Sequence, residues 1–275
     1  MTPASEADLP SFRNPPLDEV AAGVQFTPTG LLLADIGAFH TRIKQDYPTA
    51  LDAPPLPPSF ETFGPAPLQL GGLGLLSIPG SPWRSWFVSS DDEHLVQLQK
   101  DRLLVNWRMR SGQRPYPRYP QLRRRFVAAA RELVAFVSER GLPQLVPNQY
   151  ELSYFNMIPI PPEGTFADIG QVIVGADLAR RDRPGRQFTE IMFRAGRILT
   201  VEDGTPYGGL TVDCVPGVDL RGTKVWRLTI TVRGRPVEAK IESVLESLDR
   251  AHIEIVTCFA DLTTERMQEA WGRVS

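Results

Sequence analysis

The chain has 275 residues, 42% hydrophobic and 23% charged, with a formal net charge of −2. It has length enough for one large domain or two small ones. The longest apolar runs, such as Leu31–Ala34 and Leu73–Ile78, fall far short of the roughly 20 residues that cross a bilayer, which excludes a helical membrane span. The acidic N-terminus lacks the basic-then-apolar order of a signal peptide. The two cysteines, Cys214 and Cys258, make no disulfide framework, so a cytoplasmic, soluble protein is expected.

In chain order, residues 1–16 read as a disordered segment: polar, with four prolines and no periodicity. Leu17–Phe26 follows as a strand, with Val20, Ala22, Val24 and Phe26 on one face. Thr29 can cap a helix carrying Leu32, Leu33, Ile36, Phe39 and Ile43, which Pro48 stops by Tyr47. Residues 48–82 hold nine prolines and are expected to form an extended loop or an insertion crossing the surface, without central strands or helices. Their Gly71-Gly72-Leu73-Gly74 lacks the full dinucleotide pattern, a preceding strand and the later acid.

Trp86–Ser89, Leu95–Gln99 and Leu103–Arg108 read as an antiparallel meander with polar turns. Arg118–Arg140 is the clearest helix, striped by Leu122, Phe126, Ala129, Leu133, Phe136 and Val137 and ended by Gly141. Tyr150–Ile160 returns as a strand. A strand at Gln171–Val174 and an exposed loop at Arg180–Arg186 come next. Strands at Phe188–Arg194, Arg197–Val201, Leu210–Val215 and Val225–Val232 then lead into a helix at Val237–Phe259 and a short helix capped by Thr263. Strand runs broken by a few helices predict an α+β fold. The expectation is a mainly antiparallel sheet with two long helices on one face. An N-terminal half (17–160) and a C-terminal half (161–275) form one unit, and each sets a meander before its long helix, as duplicated halves would.

Several stretches resemble one bacterial family. They are Asn14–Phe26, His94–Arg108 (above all its Asn106-Trp107-Arg108 end), the Tyr-Pro pairs, Tyr154-Phe155-Asn156 and the terminal Trp271-Gly272. The family is the sporadically distributed family of proteins of unknown function, and the resemblance covers nearly the whole length. It supplies no activity and no catalytic residue. A patchy distribution implies an accessory role, such as a defence or toxin–antidote system.

No catalytic constellation emerges. His40, His94 and His252 stand apart, without the paired spacing of metal ligands. Cys214 and Cys258 alternate with apolar neighbours as buried structural thiols do. Asp91-Asp92-Glu93 reads as a solvated turn. No cofactor pattern and no metal site are expected.

Binding is a different matter. Between Lys100 and Arg125 the chain carries nine Lys and Arg against one acid, a local balance of +8 (9 − 1) in a chain of −2 overall, which points to an anionic partner. Arg outnumbers Lys 26 to 4 throughout, so clustering, not arginine identity, carries this inference. Arg110, Arg114, Tyr116, Arg118 and Tyr119 project from a proline-stiffened loop, and arginine with aromatics dominates interface hot spots. The strand alternation sets Trp107 in the core and Arg108 on the opposite face. Beside Arg108, the residues Gln97, Gln99, Asn106 and Asn156 can build a polar sheet face open to a ligand. The expected function is non-enzymatic binding of an acidic partner protein through this basic and aromatic patch. The alternative, a nucleic-acid or nucleotide binder, meets a sequence pI near 6.0, whereas dedicated binders are basic as a whole.

Overall fold

A computed structural model describes residues 9–63, 84–110, 116–176, 188–219 and 221–275. Its strands are β1 (Leu17–Phe26), β2 (Thr49–Ala53), β3 (Arg84–Val88), β4 (His94–Gln99), β5 (Arg102–Arg108), β6 (Pro147–Pro159), β7 (Phe193–Thr200), β8 (Pro206–Val218) and β9 (Lys224–Gly234). Its α-helices are α1 (Leu33–Ile43), α2 (Tyr119–Glu139), α3 (Ile241–Leu262) and α4 (Glu265–Ala270). The nine strands form a single antiparallel sheet in the order β2-β3-β4-β5-β1-β6-β9-β8-β7.

That order gives two similar paths in succession. β1 lies beside the last strand of the meander that follows it (β5), β6 lies beside the last strand of the meander that follows it (β9), and a long helix comes after each; β6 thus opens the second path although it falls within the expected 17–160 half. β1 and β6 pair antiparallel at the centre, so the sheet runs unbroken through both halves.

Register fixes which side chains meet. Val20 lies between Trp107 of β5 and Tyr154 of β6, and Val24 between Leu103 and Tyr150. Period-two alternation therefore puts Val20, Ala22, Val24, Leu103, Val105, Trp107, Leu152, Leu228 and Ile230 on one face, where all are buried. α2 covers this face over β5 and β1, α3 covers it over β6 and β9, and α1 packs on α2. Each large aliphatic or aromatic side chain buried here contributes about 1.5–3 kcal/mol, an upper figure for an extended reference chain. The stripe of α2 is buried as its spacing requires. Gly141, at φ 64°, closes it with Leu142 N–H donating to Val137 O and Gly141 N–H to Ser138 O, two bonds that satisfy terminal carbonyls.

Several expectations are corrected. Of residues 1–16, positions 9–16 are anchored: Phe12 is buried, Arg13 and Asn14 N–H donate to Gly272 O and Trp271 O, and Val274 N–H donates to Ser11 O. The apolar anchor Phe12 outweighs the polar composition around it. Within residues 48–82, Thr49–Ala53 is a strand at the sheet edge, where prolines on either side leave five residues able to pair. The Gly71–Gly74 run and the Arg180–Arg186 loop lie outside the described residues. Phe188–Arg194 and Arg197–Val201 are not two strands. β7 runs through Ala195 and Gly196, which pair with Val212 and Thr211 instead of turning. Gln171–Val174 holds no strand beyond a single bridge from Ile173 to Thr263, and a 3-10 turn occupies Asp168–Gln171. α3 starts at Ile241, because residues 237–240 are held outside the helix by Glu238 N–H donating to Ser243 Oγ.

The second face of the sheet is polar, and the chain's own strap crosses one end of it. Residues 54–61 run over β4, β5, β1 and β6 in turn. Leu56 exchanges two hydrogen bonds with the Gln99 amide (2.8 and 2.9 Å), and Arg102 Nη2 donates to Pro57 O (3.0 Å). Ser59 N–H donates to Gln25 Oε1 (2.9 Å) and Glu61 N–H to Gln149 Oε1 (3.0 Å). Proline removes donors from this strap, and three glutamines satisfy the Leu56, Ser59 and Glu61 amides. Gly209 of β8 leaves room for the Glu61 carboxylate, which a Cβ would meet at 2.6 Å.

Candidate functional site

The residues expected to form a polar binding face are largely spent inside the protein. Gln97 donates to Asn106 Oδ1 (2.8 Å) and accepts from Arg84 Nη1 (2.7 Å), and Asn106 donates to Glu19 Oε1 (2.5 Å). Burial lifts the Glu19 carboxyl above its ordinary pKa, against the Asn106 hydrogen bond and the Arg108 charge. Arg108 is 8% exposed, bonds Asp92 Oδ1 at 2.5 Å and lies over the Trp86 ring. Gln99 is held by Leu56 and Asp101. Arg108 is thus a buried structural cation and not a projecting ligand group. Its neighbour Arg110 pairs with the other oxygen of Asp92 at 3.0 Å. Asn156 belongs elsewhere: it shares the helix-covered face with Tyr154, two residues back along β6. Arg114 lies outside the described residues.

Tyr116, Arg118, Tyr119 and Asn156 come together instead, around a cleft of about 460 Å³ on the helix side. Most of its lining is apolar, including Leu9, Phe12, Leu17, Ile230, Ile255, Val256 and Phe259. One wall is the segment 9–15, held against the C-terminus by the Arg13, Asn14 and Val274 bonds and by Phe12 set edge-on to Phe259 at 5.3 Å. The opposite walls are the first turn of α2 and the inward face of α3. Tyr154 and Asn156 of β6 and Ile230 of β9 form the floor.

A chain of polar contacts crosses the cleft. The Tyr116 and Tyr154 hydroxyls are 3.2 Å apart, and the Tyr154 hydroxyl is 2.8 Å from His252 Nδ1. The His252 ring stacks on Tyr119 at 4.2 Å. The Tyr119 hydroxyl donates to Asp249 Oδ1 (2.8 Å), whose carboxylate also takes Arg123 Nε (2.6 Å) and Nη2 (2.8 Å). Burial pushes the His252 imidazole down to about 4, with the Asp249 charge opposing, so the ring is neutral near pH 7. Burial, and then Asp249, hold the Tyr119 hydroxyl firmly protonated. Asp249, His252, Ile255, Val256 and Phe259 recur at helical spacing along α3, which places them on one side.

Arg118 is the residue at which the chain enters α2. Its φ of 71° and ψ of 156° fall in a region that essentially only glycine occupies. Its Nη2 donates to Phe12 O at 3.0 Å, tying the N-terminal wall to α2. No side chain caps the helix there.

The expected patch is therefore divided. Arg108 and Arg110 meet Asp92 beyond the polar face, whereas Tyr116, Arg118 and Tyr119 border the cleft. Arg123 is engaged by Asp249. Tyr154 and His252 escape local sequence reasoning, because their partners are remote: the bond between them spans 98 positions. The available signal was the Tyr154-Phe155-Asn156 segment, whose alternate residues both reach the cleft.

The thiols are ordinary. Burial raises Cys214 to about 12 and also raises Cys258. Among the described residues no cluster of three or more His, Cys, Asp or Glu side chains could hold a metal ion, and no helix is long and apolar enough to cross a membrane. No family model and no curated protein matches the chain.

Proposed function

We propose that the protein is a non-enzymatic binding protein that engages an acidic partner protein at this cleft. The observation that carries the reading is the convergence of Tyr116, Arg118 and Tyr119 on one largely apolar cavity. Arginine and tyrosine around a desolvated pocket are the composition of an interface hot spot. An apolar side chain of the partner fills the cavity, and an acidic one meets Arg118 at its edge. Arg110, with 45% of its side chain exposed, adds positive potential at longer range. The strained backbone of Arg118 supports the reading, since such strain persists where function fixes a side chain. Cys214 and Cys258 are buried with raised pKa values, which disfavours thiolate chemistry at these two residues. Membership of the sporadically distributed family, with an accessory role in defence or a toxin–antidote pair, belongs to the same proposal and rests on the His94–Arg108 and Tyr154–Asn156 segments.

The test is co-purification from the native host with the wild type and with a Tyr116→Ala, Arg118→Glu double variant. The expected result is a stoichiometric complex with a protein of acidic surface, which the double variant loses while keeping its fold. A nuclease-sensitive complex whose affinity falls steeply with salt, or an undiminished complex with the double variant, would overturn it.

A further inference from the structure

The cleft has an electrostatic sign. Among its described lining residues Arg118 carries the one formal charge, and no Asp or Glu takes part. The uncapped N-terminus of α2 opens on the same wall through Tyr119 and Pro120. A helix N-terminus adds roughly half a positive charge, felt over its first turn. Deeper in, two polar groups keep unused capacity among the described residues. His252 engages Tyr154 through Nδ1, leaving Nε2. Asn156, 3% exposed, spends Nδ2 on Leu228 O at 3.1 Å, leaving Oδ1. The volume of about 460 Å³ equals that of roughly 15 liquid waters at about 30 Å³ each and lies within the range of small-molecule sites.

We infer that the cleft is a small-molecule site for an amphiphilic monocarboxylate, its carboxylate at Arg118 and the start of α2 and its apolar body against Ile230, Val256 and Phe259. The carboxylate accepts hydrogen bonds from the guanidinium, a charge-assisted contact roughly twice as strong as a neutral one. A polar substituent on the body reaches His252 Nε2 or Asn156 Oδ1. Free carboxylate and acidic protein side chain share this head-group chemistry, and the two sources differ in what the apolar cavity holds.

Isothermal titration with octanoate, octan-1-ol and a tetrapeptide of Asp and Glu separates them. The expected result is one-to-one binding of octanoate at pH 7.5, about tenfold tighter than octan-1-ol, the equivalent of one modest charge contact. Arg118→Gln should abolish that preference while octan-1-ol binding persists, and Val256→Trp should remove both. Because Val256→Trp could disturb α3, the wild-type imidazole resonances of His252 supply an independent readout: they should shift and saturate with octanoate. The inference is overturned by absence of saturable binding, by equal affinity for octanoate and octan-1-ol, by His252 resonances that do not move, or by a tetrapeptide that binds as tightly as octanoate. Both proposals place an apolar group and a carboxylate in the same cleft, so octanoate should compete with the partner, while the partner-protein proposal itself is decided by the co-purified protein.

Discussion

Arg118→Gly and Arg118→Ala form a pair whose relative stability follows from one backbone torsion. With φ 71° and ψ 156°, any residue bearing a Cβ is strained there by about 1–3 kcal/mol. Both variants lose the hydrogen bond to Phe12 O, worth about 0.5–1.5 kcal/mol. Only glycine relieves the strain, and against this stands its larger unfolded-state entropy, about 0.4–1 kcal/mol relative to alanine. The strain outweighs the entropy over most of that range. Arg118→Gly should therefore be more stable than Arg118→Ala by about 0.5–2 kcal/mol, and close to wild type. Urea unfolding followed by circular dichroism, with m-values compared, measures the difference. Both variants should lose partner binding alike, which would mark Arg118 as a position where stability is given up for a side chain. A glycine variant less stable than the alanine variant would refute the strained geometry and with it the fixed placement of Arg118 at the cleft.

Other outcomes follow from burial. Trp107→Ala should cost about 3–5 kcal/mol, and Arg108→Ala about 1–3 kcal/mol because it removes a buried, hydrogen-bonded arginine from its contacts with the exposed Asp92 and the Trp86 ring. Denaturant midpoints for both variants check this, and an unchanged Arg108→Ala midpoint would contradict its burial. Gln99→Leu removes both bonds to Leu56, so hydrogen exchange at the Leu56 amide should accelerate and stability fall by about 1–3 kcal/mol. For His252, the folded pKa near 4 lies below the ordinary 6.5, so as pH falls below about 6.5 the unfolded chain takes up the proton first. Its contribution is present above pH 6.5, falls as pH drops toward 4 and then levels, a loss of up to about 3 kcal/mol. Stability–pH curves of wild type and His252→Gln should diverge in that window.

The fold was legible where one face of an element is buried, because burial writes its period into the sequence. Leu17–Phe26 and the α2 stripe read through directly. Polar positions carry no such mark. Gln97, Gln99, Asn106 and Arg108 look in sequence like a solvated face, and the strap that reads Gln25, Gln99 and Gln149 lies in the proline-rich stretch that local pattern marks only as loop. Asn156 falls on the helix side because β6 pairs with β1 through Tyr154 and Val20, a long-range register that local alternation does not determine. His252 appeared solitary because Tyr154 and Tyr119 reach it only across the sheet and α2. Tyr116, Arg118 and Tyr119 could be found because composition and clustering are local properties.

Hydrogen exchange of the protein with and without its bound partner tests most directly the claim that the cleft is the binding site. The account predicts new protection confined to residues 9–15, 116–122 and 249–259, with the strap at 54–61 unchanged. Protection centred on the Arg84–Arg108 meander, with 9–15 and 249–259 unaffected, would contradict it.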